Sequence, residues 1–141
     1  MHRLPALITT VALAITLLPT AGCSNESESA KGTVAFSDGE LVQSGSIEFR
    51  SLKDGSRYAS RITSLGAFRL SDVDGRVHLP PGEYEVVVVQ VVLTEDLAAD
   101  AHEHGRTVPR KYADYYTSSL RITRKPDDLT PMRVVLKPED G

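Results

Sequence analysis

Hydrophobic and polar residues alternate along most of this chain. Val34 and Phe36 share one face, with Thr33 on the other. Ile47 and Phe49 alternate with Ser46, Glu48 and Arg50, and Tyr58 and Ile62 with Arg57 and Arg61. Phe68 and Leu70 alternate with Arg69 and Ser71, and Leu120 and Ile122 with Arg121 and Thr123. Met132, Val134 and Leu136 alternate with Arg133 and Lys137. Successive side chains of a strand point to opposite faces, so a period of two predicts half-buried strands, apolar inward and often arginine outward. The outward arginines read as solubilising groups that also blunt sheet edges.

Glycines at 39, 45, 55, 66, 75 and 82 punctuate these runs. Several sit in turn chemistry: Ser37-Asp38-Gly39, Lys53-Asp54-Gly55, Asp72-Val73-Asp74-Gly75 and Pro80-Pro81-Gly82. Asp-Gly supplies the positive φ of tight hairpins. Turns spaced this regularly predict an antiparallel sandwich or barrel. Two segments break the alternation. From Val86 to Leu93 only Gln90 is polar, which predicts a central strand covered on both faces. The following "TEDLAADAHEHG" carries helix signals, with Thr94 as cap, Glu95 and Asp96 in the first turn and Gly105 as terminator. A short helix is predicted over 95–104.

Ahead of the alternating region, Leu4 to Leu18 is a run of fifteen residues without charge, preceded by Arg3. A membrane-spanning helix needs about 20 apolar residues, so this run suits the h-region of a signal peptide better. Pro19, Thr20, Ala21 and Gly22 lead to Cys23, the only cysteine. Ala21, Gly22 and Cys23 resemble a bacterial lipobox, with Thr20 where Leu is usual. The resemblance implies a signal peptide over 1–22 and a lipid on Cys23. The membrane would then be the first partner, with the protein anchored in the bacterial cell envelope on a periplasmic or outer surface. Each buried acyl CH₂ contributes about 0.8 kcal/mol and stable anchoring takes more than one chain, a condition a bacterial lipoprotein meets. Residues 23–30 are polar and acidic, with nothing apolar larger than Ala30, and read as a tether without a core of its own.

The 141 residues include 16 Lys and Arg against 19 Asp and Glu. Loss of the leader removes only Arg3 and leaves the chain slightly more acidic. With no basic block, nucleic acid is excluded as a partner. Without a second cysteine there is no internal disulfide, and the fold must rest on its core. A chain of this size can bury about two-thirds of its unfolded surface, so one domain is expected, over 31–139.

"GAFRLSDVDGRVHLPPGEYEVVVV" resembles the carboxypeptidase regulatory-like, or transthyretin-like, β-sandwich, through Gly66, Phe68, Pro80, Pro81, Gly82, Tyr84, Val86 and Val88. Gly32 and Val34 match the group's first strand. "VPRKYADYYTSSLRIT" is similar to a late segment of planctomycete envelope lipoproteins with this domain, at Pro109, Lys111, Tyr112, Thr117, Ser118 and Leu120. The resemblance implies an all-β, seven-stranded antiparallel sandwich with one short helix or loop insertion near 94–119, preceded by a signal peptide. It implies no enzymatic activity and no cofactor. Independently of it, Pro80 and Pro81 fix φ, Gly82 reverses the chain, and Tyr84 is expected to lie on the core with its hydroxyl on a backbone group.

Few residues offer chemistry. His102 and His104 would point about 200° apart on the predicted helix, so they are not read as a metal pair. Asp72 and Asp74 lack the further ligands of a calcium loop and read as a turn. Ser118 and Ser119 lack a Gly-x-Ser-x-Gly frame. Tyr112, Tyr115 and Tyr116, with Arg110 and Lys111, carry the best binding hypothesis. Their aromatic faces could stack on a sugar or a partner protein, or two of them could latch the sandwich and leave the third exposed. The expected function is a lipid-anchored, non-catalytic envelope protein that engages an envelope protein or polysaccharide. A carbohydrate or small-solute binding module using 109–119 is the alternative.

Overall fold

The computed structural model describes residues 24–91 and 105–138. Cys23, the expected leader and the helix predicted over 95–104 lie outside them. The strands are β1 (Lys31–Phe36), β2 (Ser46–Ser51), β3 (Arg57–Arg61), β4 (Ala67–Arg69), β5 (Gly82–Val89), β6 (Leu120–Arg124) and β7 (Met132–Leu136). They form a three-stranded sheet, β4-β1-β7, and a four-stranded sheet, β3-β2-β5-β6. The described chain is mostly β, two sheets sharing one core in a sandwich-like arrangement.

The period of two sets which side chains enter that core. Val34, Phe36, Ile47, Phe49, Phe68, Leu70, Met132, Val134 and Leu136 are all buried. Its centre is aromatic. Phe49 of one sheet lies 5.9 Å, centroid to centroid, from Phe68 of the other and from Tyr84 beside it. Tyr58 stands edge-on to Tyr84 at 5.9 Å. Tilted and edge-to-face pairs match the ring quadrupoles and add about 0.5–1.5 kcal/mol each beyond area burial.

One pairing corrects the all-antiparallel expectation. β1 and β7 run parallel, from Gly32 opposite Met132 to Phe36 opposite Leu136, whereas the other strand pairs are antiparallel. Alternation is the same in both kinds of pair. Direction depends on the connection, and residues 125–131 carry the chain from the edge of one sheet to the edge of the other, where β7 starts beside the start of β1.

The valine-rich segment forms the inner strand β5, with Val86, Val87 and Val88 all buried. Its cover is a 3₁₀ turn (Arg110–Ala113) followed by the single-turn helix α2 (Tyr115–Ser118). Regular strand stops at Val89, short of the predicted Leu93. Gln90, the lone polar residue of that run, fastens the segment at Val108 to the end of β5. Its Nε2 donates to Ser44 Oγ at 2.9 Å and its Oε1 accepts from Val108 N at 2.9 Å.

Residues 24–30 also differ from the expected tether. Ser24–Ser29 form a helix, α1, and Ala30 is fully buried in the core. Glu26 accepts from the Arg76 guanidinium with both oxygens, at 3.0 and 2.9 Å, and Ser29 Oγ accepts from Leu79 N at 3.2 Å. Polar composition rules out an independent core, yet these side chains dock on a sandwich that supplies the core.

The Pro80-Pro81-Gly82 segment meets expectation in part: Tyr84 lies on the core as expected, but Gly82 is the first residue of β5, paired with Arg124, rather than the pivot of a reversal. Gly82 has φ 152°, within the range glycine favours, and the buried Tyr84 donates its hydroxyl to Pro80 O at 2.6 Å. Tyr84→Phe should cost about 1 kcal/mol in urea unfolding, the usual net value of one such hydrogen bond. Acid should also unfold the protein by a readable route. Arg106 beside Asp38, the Ser56 N–H on Asp54, His78 against Asp72 and the Thr130 N–H on Asp128 hold these carboxyls below the usual 3.8. The unfolded chain therefore takes up protons first, so this stabilisation is complete above about pH 4 and is lost as pH falls through the depressed values. Melting temperature followed against pH should decline below that point.

Candidate functional site

Arg106 is fastened to the sandwich: its Nη1 donates to Asp38 at 2.6 Å and Glu40 at 3.3 Å while the guanidinium lies 4.7 Å from the Phe36 ring centroid. Val108 and Pro109 are buried, and the 3₁₀ turn follows. Asp114 then caps α2, its Oδ1 accepting from Tyr116 N at 2.7 Å, and Ser119 ends it at φ 51°. These anchors decide where each binding candidate points.

They do not point together. Tyr112 is buried, its hydroxyl accepting from Lys137 N at 2.7 Å, so it latches the end of β7. Lys111 is exposed, with its ammonium 5.1 Å from the Tyr112 ring centroid. Tyr115 is half-buried. It donates to Glu48 Oε1 at 2.8 Å, and the Arg50 guanidinium covers its ring at 3.9 Å. Burial first, and then Glu48, push the Tyr115 hydroxyl pKa well up. Tyr116 is 97% exposed. Arg110 is exposed and lines a cavity of ≈ 500 Å³ with Arg106, Pro109 and Pro138. Two tyrosines therefore serve the scaffold and one presents an open ring.

Tyr115 closes a polar network on the outer face of the larger sheet. Glu85 is paired with Arg50 and lies 3.5 Å from Arg121, and Glu48 lies 3.8 Å from Arg57. Opposite charges facing each other across strands contribute about 0.2–1 kcal/mol per pair and fix the pairing register. The outward arginines at 50, 57 and 121 thus meet carboxylates on this face.

The other chemistry-bearing residues have structural partners. The Ser118 hydroxyl is buried and donates to Val86 O. Asp72 Oδ1 accepts from Asp74 N and Arg76 N at 3.0 Å each, which makes the 72–76 turn. Its other oxygen lies 2.9 Å from His78 Nε2. His102 and His104 lie outside the described residues, and among those described no three His, Cys, Asp or Glu side chains could hold a metal.

At the end of the sandwich that carries α1 there is a cavity of ≈ 420 Å³. Its walls are α1, the 76–81 segment and the 124–129 part of the β6–β7 connection. Arg124 belongs to this wall and is buried, although sequence reasoning passed over it. A signal was there. The same period of two that turns Leu120 and Ile122 inward carries Arg124 to the inner face. No family model, curated protein or solved structure matches this chain.

The tyrosines should separate cleanly on substitution. Tyr112→Phe leaves Lys137 N without its acceptor and should cost about 1–2 kcal/mol, whereas Tyr116→Ala should change stability by less than about 0.5 kcal/mol. Urea denaturation of both variants makes the comparison.

Proposed function

We propose that this chain is a lipid-anchored, non-catalytic protein of the bacterial cell envelope. Its two-sheet body would be a seven-stranded sandwich of the carboxypeptidase regulatory-like, or transthyretin-like, kind, acting as a structural or interaction module for another envelope protein or polymer. One observation carries the reading. The lipobox-like Ala21-Gly22-Cys23 stands directly before α1, and α1 is docked on the sandwich through Glu26, Ser29 and Ala30. A lipid on Cys23 would hold the body close against the bilayer, with the α1 end toward it. Lipid tethering raises effective concentration at the membrane, so weak recognition there suffices.

The partner surface in this reading is the 105–119 segment with the adjoining outer face of the larger sheet. It combines the open ring of Tyr116, exposed Arg110 and Lys111, and the cross-strand charges around Glu85. A protein partner is favoured over carbohydrate because Arg50 already covers the Tyr115 ring, which removes a two-ring stacking platform. The non-catalytic reading is supported by Ser118, whose hydroxyl is committed to Val86 O.

Mass spectrometry and detergent-phase partition of protein made in its own host test the anchoring. Cys23 should carry acyl groups, and Cys23→Ser should move the protein to the aqueous phase. Unmodified Cys23 on a wild-type protein that already partitions to water would overturn the proposal.

A further inference from the structure

Arg124 is the one charged side chain buried among the described residues. Its Nη1 donates to Thr130 O at 2.7 Å and lies 3.8 Å from Asp128 Oδ1, too far for a hydrogen bond. Nε and Nη2 are buried and have no partner. Those two donors share one edge of the guanidinium, the edge that forks onto a carboxylate or phosphate. Arg50 uses that same edge on Glu85 in this protein. A buried cation with its fork empty is destabilising, whereas an apolar side chain of similar volume would fill the position without loss. Arg124 is among the residues lining the cavity, and this unpartnered edge has the geometry that suits an oxyanion.

The surroundings define its charge. Of the carboxylates in the cavity wall, Glu26 is held by Arg76, and Asp128 accepts from Thr130 N at 3.0 Å and keeps its charge 3.8 Å from Arg124 Nη1. Asp127 also lines the wall, so a doubly charged ligand would meet uncompensated repulsion. Lys125 is exposed at the rim and makes no ion pair among the described residues. Leu79, Pro80, Pro81 and Leu129 give the rest of the wall an apolar character suited to an organic flank.

We propose that this cavity is an anion site for a singly charged phosphodiester, whose oxygens meet Arg124 Nε and Nη2 while Lys125 attracts it at the rim. Because the edge is covered, a rotamer-scale turn of the guanidinium accompanies binding. The source of the phosphodiester rests on the anchoring proposed above. With the α1 end toward the bilayer, it is a phospholipid headgroup, and a soluble phosphate would use the same edge.

The test uses the full chain with Cys23→Ser, so that its outcome is independent of lipidation. Arginine Nε–H signals are followed by NMR during titration with glycerophosphoglycerol, a headgroup phosphodiester without acyl chains, and separately with inorganic phosphate. The Arg124 signal should shift saturably, more tightly with the phosphodiester, and the melting temperature should rise with it. Arg124→Met should fold and lose the rise entirely, and Lys125→Gln should weaken binding roughly two- to fivefold. Saturation by inorganic phosphate alone would uphold the oxyanion site and overturn the headgroup source. No shift of the Arg124 signal with either probe, or shifts confined to exposed arginines, would overturn the site.

Discussion

The contact of Phe49 with rings on both sides of the sandwich is what the rest of the structure depends on. With a single cysteine there is no internal disulfide, so two sheets stay together only by what they bury between them. Phe49 sits on β2, inside the larger sheet, and touches Phe68 across the gap and Tyr84 on the neighbouring strand. Tyr58 extends the cluster from β3. Tyr84 then ties the core to the chain outside it through Pro80 O, and Gly32 lies under Phe68 so closely that a Cβ would fall 2.3 Å from Phe68 Cζ. Core packing and the entry of the chain into β5 are in this way one constraint.

Once the inner faces are spent on apolar contact, charge is partitioned by face. On the outer face of the larger sheet, Glu48 and Glu85 are each approached by arginines from neighbouring strands, and Tyr115 adds its hydroxyl and ring. These groups stay partly solvated, so their attraction is modest but cheap to make. Arg124 is the exception. It occupies an inner-face position near the end of a strand, where the sandwich opens into the α1 cavity. Its desolvation is offset by Thr130 O and by Asp128 at 3.8 Å, with Nε and Nη2 left without partners. The same residue type is thus a solubilising group on one face and an energetic liability on the other, and that contrast marks the cavity as a place where function can reside.

Legibility followed the range of the interactions. Strand positions, inward residues, the Asp72 turn and the Tyr84 hydroxyl on Pro80 O depend on neighbours a few residues apart, and all were readable from the pattern of the chain. The division of labour among Tyr112, Tyr115 and Tyr116 was not. Each of the three is amphipathic, and what separates them is whether Lys137, Glu48 or nothing stands opposite. The docking of residues 24–30 was not legible for the same reason. Glu26 and Ser29 find Arg76 and Leu79 fifty residues away, and no local composition reports that. Arg124 was half-legible, since its place in the alternation was visible while the empty fork edge was not.

By itself, the sequence determined a mostly β chain of alternating strands with glycine turns, a core to be filled by the inward residues, and a mildly acidic composition. Side-chain period and backbone turn preference are local properties, so they survive in a one-dimensional reading. Only the tertiary structure decided that β7 joins β1 in parallel, that α1 docks, that two tyrosines are occupied and one is open, and that a guanidinium is buried with its Nε and Nη2 donors unmet. Each of these depends on which distant groups meet across a sheet or at its end, and that is set by how the connections cross rather than by any neighbouring residue.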